Sequence, residues 1–429
     1  MAEKSRKKKW MKLDNAALIY PAARKRNWTA LFRVSAELFE DVDEKILYEA
    51  EKSTLKRFPG FAVRLKPGMF WYYMEELGGA PAIQKDVANP CVRMDMRENG
   101  GFMFRVRYYK RRIAVEIFHV ITDGTGGLCF LKTLVAEYLR IRYGDEIPRD
   151  HTILDCSAEA PEEELEDSYN KYARNVTSSR MEKVAYRVHG TPENRHFMDI
   201  VTGRLSTAQV VEKAKEYDAS VNEFLSAVLI MSVYRRSQRE KSAHQRNKPV
   251  KICVPVNLRR FYGSRTMRNF ASYVNPGIEP RLGEYELREV VKIVKYQMGL
   301  EATEKRLNAK MATNVATGRN KVLRAVPLFL KNPTMKFGFW MNGDRNTSSI
   351  LSNLGLVKLP EPMKSRVARM DFMLGSLAYN PVTCACLSYN GTTCINFTRN
   401  IQEADIEREF FRQLVKMGLH VTVESNRRD

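Results

Sequence analysis

The sequence predicts an α/β protein built from two halves. Segments with the two-residue alternation of β-strands recur between segments with helical spacing, both before and after residue 160. The length of 429 residues corresponds to two or three domains at roughly 100–200 residues each. One acidic, proline-bearing stretch, residues 155–170, is placed to join the halves. We therefore divide the chain into a basic N-terminal tail (1–12), a first half (13–180) and a second half (181–429).

The first half is predicted to contain a helix, a β-hairpin and a second helix. Residues 43–55 begin with acidic residues, carry apolar residues at helical spacing and are stopped by Pro59. Residues 102–108 and 113–118 alternate as two strands of a hairpin, joined by the basic turn at 109–112. Residues 128–143 have the apolar spacing of a helix, and Gly144 is suited to end it.

The second half repeats this mixture of strands and helices. Strands are predicted at 197–205, 251–256, 382–387 and 393–397. Two helices are predicted to begin at the capping boxes Ser206-Thr-Ala-Gln209 and Ser220-Val-Asn-Glu223, and a last helix covers 403–417.

Composition indicates a soluble, reduced, cytoplasmic protein. The most apolar stretch, residues 224–234, is far shorter than the roughly 18 residues of a membrane span. The N-terminus is basic but has no apolar core of a secretory signal. Seven cysteines, an odd number scattered along the chain, do not form a disulfide framework.

The chain is strongly basic, and its positive charge is clustered. Lys plus Arg number 71 against 50 Asp plus Glu, a net charge of +21. Residues 1–26 carry nine basic residues against Glu3 and Asp14, and residues 235–268 carry eleven against Glu240 alone. Such an excess serves an anionic partner: nucleic acid, anionic lipid, an acidic protein or a phosphate-bearing cofactor. Charge alone does not choose among them.

The most informative motif is His119-Val-Ile-Thr-Asp123-Gly124, between a hydrophobic strand and the start of a helix. A histidine at a strand end can present its ring to a cleft, and the aspartate can orient an arginine or close the turn. Glycine permits backbone geometry that side chains forbid. The other five histidines lie in polar or loop-like contexts, at positions 151, 189, 196, 244 and 420.

Several interpretations of His119 compete. It can be an ordinary core or surface histidine. A metal pair with Asp123 lacks further ligands nearby, so no metal site is predicted. Cys129 is a possible nucleophile beside His119, but it falls on an apolar helix face, where a small core residue is expected. The glycines match neither a dinucleotide fingerprint nor a P-loop.

The motif resembles the His-x-x-x-Asp-Gly of the chloramphenicol-acetyltransferase-like superfamily, which includes alcohol acetyltransferases, BAHD-type acyltransferases and condensation domains. Further landmarks follow in the family's order: Leu13-Asp-Asn-Ala-Ala17, Val221 to Ala227, Val254-Pro-Val-Asn-Leu-Arg259, Ser352-Asn-Leu-Gly355 and Asp371 to Gly375. The sequence departs from the family in three places. Phe118 replaces the first histidine of condensation domains, the tryptophan of the second BAHD motif is missing, and Asn257 replaces an aspartate.

The resemblance implies two similar halves packed side by side, with mixed β-sheets flanked by helices and an active-site tunnel between them. It also implies acyl transfer without a covalent acyl-enzyme, with His119 as the general base. Ser352 is the implied donor to the oxyanion. Asp123 is expected to form an ion pair with Arg259, whose neighbour Arg260 is the alternative partner, and Gly124 lets the turn pass close to the site.

The implied co-substrate is an acyl-CoA, acetyl-CoA in the first instance, with a small alcohol or amine as acceptor and no tightly bound cofactor. Four basic residues are assigned to the phosphates of CoA, with a solvated helix end that only aids solubility as the alternative: Arg235, Arg236, Arg239 and Lys241. The alternatives are a catalytically silent relative that binds a ligand or partner, and a nucleic-acid-binding protein. No recognition motif supports the second, so we expect no nucleic acid. Membrane contact is not the primary expectation, and the basic N-terminal tail is the one segment for which it stays open as an alternative.

Overall fold

A computed structural model describes residues 9–23, 29–176, 178–179, 182–194, 197–342, 344–377 and 379–427. Residues 1–8 of the predicted tail and His196 lie outside the described residues. The strands within these ranges are β1 (Trp10–Lys12), β2 (Leu31–Leu38), β3 (Val63–Pro67), β4 (Tyr72–Glu76), β5 (Gln84–Lys85), β6 (Phe104–Tyr109), β7 (Arg112–Phe118), β8 (Asp199–Ser206), β9 (Val250–Asn257), β10 (Ala271–Val274), β11 (Gly277–Ile278), β12 (Ser349–Val357), β13 (Val367–Leu374), β14 (Val382–Tyr389), β15 (Thr392–Arg399) and β16 (Thr422–Ser425).

The α-helices of the described ranges flank these strands. They are α1 (Ile19–Ala23), α2 (Glu44–Arg57), α3 (Gly124–Tyr143), α4 (Glu162–Leu165), α5 (Ser168–Tyr172), α6 (Thr207–Glu216), α7 (Val221–Ser237), α8 (Ala243–Arg246), α9 (Arg259–Tyr262), α10 (Leu287–Glu301), α11 (Glu304–Arg319), α12 (Lys321–Ala325), α13 (Leu328–Asn342), α14 (Glu361–Lys364) and α15 (Asp405–Lys416). None of the described helices is long and apolar enough to cross a membrane.

The first sheet has five strands in the order β13-β2-β7-β6-β5. Only β5 and β6 pair in parallel; the other neighbours are antiparallel. The hairpin predicted at 102–118 is confirmed as β6 and β7. Helices α2 and α3 pack against each other, and α3 also contacts β2 and β7. Their apolar side chains form the main core of this half.

The ends of α2 and α3 follow their capping residues. Asp43 accepts hydrogen bonds from the backbone nitrogens of Lys45 and Ile46 at the start of α2. Helix α3 begins at Gly124, four residues earlier than predicted, because Asp123 caps it. It ends at Tyr143, and Gly144 has the left-handed φ of 72° that suits glycine.

The second sheet has eight strands in the order β10-β9-β12-β14-β15-β8-β16, and β11 pairs with β9. It is mixed, because β12 runs parallel to both β9 and β14 while the other pairs are antiparallel. The buried helix α7 packs on this sheet, and its capping box at Ser220 and Glu223 is confirmed. Ser206 precedes α6 as predicted, but its side chain makes no capping hydrogen bond.

Three segments depart from the division predicted from the sequence. Strand β13 comes from the second half but pairs with β2 in the first sheet. Residues 10–12, assigned to the tail, form β1 in a small sheet of order β1-β4-β3. The stretch 155–170 is packed rather than a bare linker, because buried Glu164 forms a bidentate pair with Arg57 at 2.6 and 2.7 Å.

Candidate active site

His119 occupies the turn between the last residue of β7 and the start of α3. Its backbone nitrogen donates to the carbonyl of Ala30 at 2.9 Å, which extends the pairing of β7 with β2 by one residue. The backbone then leaves the sheet and reaches Asp123, the N-cap of α3, within four residues. The turn is therefore anchored to the sheet at one end and to a helix at the other.

The His119 ring lies between two aromatic side chains. Tyr20 of α1 stacks on it, with ring centroids 4.9 Å apart and planes inclined by 19°. Phe32 of β2 meets it edge-on at 5.1 Å. This surrounding removes water from the imidazole, and the desolvation lowers the pKa of His119 below its ordinary value. The ring is consequently neutral at neutral pH and able to accept a proton.

Asn269 determines which ring nitrogen carries the hydrogen. Its Oδ1 lies 2.9 Å from His119 Nδ1, while its Nδ2 donates to the His119 carbonyl at 3.0 Å and to Asp14 Oδ2 at 3.1 Å. Because the amide nitrogen faces these acceptors and the Val120 carbonyl at 3.4 Å, Oδ1 is the atom that faces the ring. The hydrogen-bond network thus assigns the hydrogen to Nδ1 and leaves Nε2 as the nitrogen that can accept a hydrogen bond.

Asp14 supports Asn269 from a fully buried position. Its Oδ1 accepts from the backbone nitrogen of Ala17 at 2.8 Å, and Arg268 Nε lies 3.6 Å from its Oδ2. Burial raises the pKa of Asp14 to about 6, although Arg268 opposes that rise. Sequence reasoning missed both Asn269 and Asp14 as site residues. The landmark at 13–17 contained a signal for Asp14, whereas nothing local marks Asn269.

Asp123 and Arg259 form an ion pair, with Nη1 2.8 Å from Oδ2. The same oxygen accepts from the backbone nitrogen of Phe270 at 2.8 Å, and Oδ1 caps α3. Burial by itself raises the pKa of Asp123, but Arg259 and the backbone donors hold the pKa below its ordinary value. All these contacts fix the turn and leave no Asp123 oxygen for His119. Arg260, the alternative partner, is exposed.

Arg259 reaches Asp123 because several acceptors hold its guanidinium. Nε donates to the Thr266 carbonyl at 2.9 Å, and Nη2 donates to the Arg268 carbonyl at 2.6 Å. Asn257, which replaces the aspartate of the related motif, accepts from Arg259 Nη1 at 3.3 Å. A neutral amide at position 257 is enough to bind Arg259, because Asp123 supplies the negative charge that balances the guanidinium.

Gly124 stands where the second sheet approaches the turn. A Cβ on Gly124 would lie 2.8 Å from Leu354 Cδ2, at the bulged end of β12. The glycine therefore permits a close approach between the two sheets and has no group that could react. The lack of space for a side chain explains why a glycine stands at position 124.

Ser352 lies on the face of β12 that is turned toward the first half. Leu351 belongs to the core under α7, and successive side chains of a strand alternate between faces. Ala385, the register partner of Ser352 on β14, packs in the core of the first half, as does Leu354. Ser352 is half-buried, and its hydroxyl makes no hydrogen bond within the described part of the chain. Its predicted role as the oxyanion donor stays a prediction.

The four basic residues assigned to CoA are not brought to His119. Three of them are ion-paired: Arg235 with Glu409, Arg236 with Glu240 and Asp405, and Arg239 with Asp405. They lie at the end of α7 and just before β9, whereas Arg259 follows the other end of β9. Eight strand residues at about 3.3 Å each separate those ends by about 25 Å. Lys241 is exposed. Their role in binding the phosphates of CoA stays a prediction.

The surroundings of Cys129 disfavour it as a nucleophile beside His119. Burial raises the pKa of Cys129 to about 12, so its thiol stays protonated and is a poor nucleophile. The Cys129 sulfur lies 4.0 Å from the His151 carbonyl. The described residues contain no group of three metal-ligating side chains.

Several solved structures share the architecture, although no family profile and no curated protein matches the sequence. The first condensation domain of the calcium-dependent antibiotic synthetase, in complex with a substrate analogue, aligns with a TM-score of 0.63 at 13% identity over 95% of this chain and 96% of that one. TRI101 of F. graminearum, complexed with coenzyme A and T-2 mycotoxin, gives 0.62 at 12% identity over 97% and 99%. Polyketide synthase associated protein 5 of Mycobacterium tuberculosis gives 0.60 at 14% identity over 94% and 96%.

The chain has the chloramphenicol-acetyltransferase-like fold. The alignments cover nearly all of this chain and of each related chain, so both halves of the fold are present. The fold predicted from the His119 motif and its landmarks is confirmed. The tunnel between the halves and the roles of individual residues stay predictions.

Proposed function

We propose that the protein is an acyltransferase that moves an acyl group, acetyl in the first instance, from a CoA thioester to the hydroxyl or amine of a small molecule. The observation that carries the proposal is the contact of His119 Nδ1 with Asn269, which leaves Nε2 as an acceptor at a strand end. The likeness to TRI101, whose structure contains coenzyme A and a mycotoxin, supports both substrate classes.

The reaction follows from the neutral imidazole. The acceptor O–H or N–H donates to His119 Nε2, and its oxygen or nitrogen attacks the thioester carbonyl carbon as the proton passes to the ring. The carbonyl oxygen of the tetrahedral intermediate becomes an oxyanion, to which the unpartnered Ser352 hydroxyl donates. Collapse of the intermediate breaks the carbon–sulfur bond. The imidazolium gives its proton to the departing CoA sulfur, which leaves as the thiol, and His119 is neutral again. Asp123 keeps the turn in place and does not contact the reactants.

Replacement of His119 by alanine tests the proposal. Thiol release from acetyl-CoA and longer acyl-CoAs is measured against a panel of alcohols and amines. With the best pair, His119→Ala should lower kcat by about 10²–10⁴-fold, as expected for loss of a general base. The matched control is His420→Ala, since His420 is exposed and is predicted to leave turnover unchanged.

Near-normal thiol release by a folded His119→Ala protein would show that His119 is not the general base. Absence of thiol release by the unchanged protein across the whole panel would instead favour the catalytically silent relative.

A further inference from the structure

One surface of the molecule exposes large apolar side chains from two adjacent segments. Helix α13 presents Phe329 at 72% exposure and Phe337 at 59%, with Leu330 between them. The β3–β4 turn presents Met69 at 74% and Phe70 at 37%. We name these five residues the apolar patch. Clustered exposed apolar side chains of this size mark an interaction surface.

The two segments of the apolar patch are held together by hydrogen bonds. The backbone nitrogen of Leu328 donates to the Met69 carbonyl at 2.9 Å, and Lys331 Nζ donates to the Phe70 carbonyl at 2.8 Å. The Lys331 ammonium also lies 3.5 Å from the centre of the Trp71 ring. Lys331 therefore fixes the turn against α13, and these contacts place Met69 and Phe70 beside the start of the helix.

The stretch of sequence that contains α13 carries charge of a single sign. Residues 305–342 carry eight basic residues and no acidic one. Lys321 and Arg324 of α12 and Lys336 of α13 are exposed beside the patch in sequence. A surface with exposed Phe, Leu and Met among Lys and Arg has the chemistry of a helix that lies in the headgroup region of an anionic membrane. The centres of protein–protein interfaces are instead depleted in lysine.

We propose that the apolar patch docks the protein on an anionic lipid surface. The 15 residues of α13 extend about 22 Å, less than the roughly 30 Å hydrocarbon core, so the helix lies on the bilayer and does not span it. Helix α13 packs against α1, whose Tyr20 stacks on His119. Docking therefore holds the His119 turn close to the membrane. Docking is measured as binding to vesicles, so it can be tested whether or not the protein transfers acyl groups.

Vesicle sedimentation with the full chain tests the docking. The unchanged protein should bind vesicles of phosphatidylcholine with phosphatidylglycerol, and bind pure phosphatidylcholine vesicles at least about tenfold less. Phe329→Ser/Leu330→Ser/Phe337→Ser should lower binding to the anionic vesicles at least about tenfold. The matched control is Tyr296→Ser/Leu300→Ser on α10, which removes two side chains exposed by 75% and 59% elsewhere and should bind normally. Met69→Ser is a second variant in case the triple substitution does not fold.

Each contrary result overturns the proposal. The proposal is overturned if the unchanged protein does not bind anionic vesicles. It is equally overturned if folded variants of the apolar patch bind them normally. Loss of binding only in Lys7→Gln/Lys8→Gln/Lys9→Gln would transfer the contact to the N-terminal tail. A dimer of the unchanged protein that becomes monomeric in the patch variants, without vesicle binding, would identify the patch as a self-association surface.

Discussion

At the scale of single residues, His119, the proposed general base, depends on an amide 150 positions away in the chain. Asn269 contacts both the imidazole ring and the backbone carbonyl of His119. Asp14 in turn accepts a hydrogen bond from the Asn269 amide. In the proposed reaction Asn269 is a positioning residue, since it contacts the imidazole and not the reacting atoms. Its amide accepts from Nδ1 without adding a charge, so desolvation keeps the pKa of His119 low.

Substitution of Asn269 should change the pH dependence as well as the rate. Because the pKa of His119 lies below 6.5, the acidic limb of kcat/KM should lie below pH 6.5. Asn269→Asp places a carboxylate beside Nδ1 and should move that limb upward by about one pH unit or more. Asn269→Ala should lower kcat about 10–100-fold with no upward move. The control, Asn247→Asp at an exposed position, should leave the profile unchanged. An unmoved limb in Asn269→Asp would remove Asn269 from the site.

The ion pair of Asp123 and Arg259 should behave as one unit in a double-mutant cycle. Both side chains are nearly buried, so Asp123→Asn or Arg259→Ala alone should each lower the free energy of unfolding by about 3–5 kcal/mol. The double variant should lose less than the sum by at least about 1 kcal/mol. Urea unfolding of the four proteins measures this, and strict additivity would mean that the pairing carries no coupling.

The candidate site divides into a part that the sequence predicts and a part that it cannot. His119, Asp123 and Gly124 lie within six consecutive residues, so strand and helix patterns place them together. Arg259 was predicted through its strand end. Asn269 follows no strand or helix pattern, and its role depends on how a loop of the second half packs on a turn of the first. A single sequence does not encode that packing in a local signal.

At the scale of elements, helix α2 contains the buried carboxyl of Glu51. Glu51 is fully buried, and neither of its oxygens has a hydrogen-bond partner within the described residues. Burial raises the pKa of Glu51 well above its ordinary value. The folded protein keeps Glu51 protonated at pH values where the unfolded chain ionises it. This group therefore lowers stability progressively as pH rises above about 4.5.

Replacement of Glu51 by leucine should stabilise the protein, and by more at higher pH. Glu51→Leu should raise the free energy of unfolding by about 1–3 kcal/mol at pH 8 and by less at pH 5. The control on the same helix is exposed Glu49→Gln, which should change stability by less than about 0.5 kcal/mol at both values. Thermal or urea unfolding at the two pH values measures the difference. A pH-independent effect of Glu51→Leu would mean that Glu51 is ionised in the folded state.

The first sheet shows where strand patterns mislead. Strand β6 reads Phe-Arg-Val-Arg-Tyr-Tyr, an alternation typical of one face in the core and one in water. In the structure Arg105 is buried, with Nε 2.7 Å from Glu116 Oε2 on β7. Arg33 of β2 reaches the other oxygen of Glu116 at 3.0 Å. The second face is therefore an ion network across three strands, covered by the chain before β6. Alternation predicts the strands correctly but not what covers their polar face.

At the scale of the whole molecule, the two halves share a strand. Seven residue pairs join β13 to β2, so the first sheet is completed by a segment that follows β12 of the second sheet. The prediction that the fold has two halves is confirmed, and each half has its own core. The sequence could not predict this exchange, since an edge strand contributed by the other half has the same alternation as any other strand.

A fragment of residues 1–180 should not fold by itself. Without β13, the buried strand β2 would have a free edge and the core of the first half would lose Phe372 and Met370. We expect the fragment to aggregate or to melt without a cooperative transition, as followed by near-ultraviolet circular dichroism, while the full chain melts cooperatively. A sharp thermal transition for the fragment would show that the shared strand is dispensable.

The shared strand also restricts how reactants can enter. Because β12 and β14 belong to the second sheet and β13 to the first, the backbone crosses between the sheets twice. Swinging the halves apart about a hinge would require breaking the ladder between β13 and β2. Under the proposed function, the molecule should therefore work as a closed frame, admitting reactants through gaps at its rim while the two sheets stay fixed relative to each other. In such a frame the shape of the gaps, and not a closing motion, selects what reaches His119.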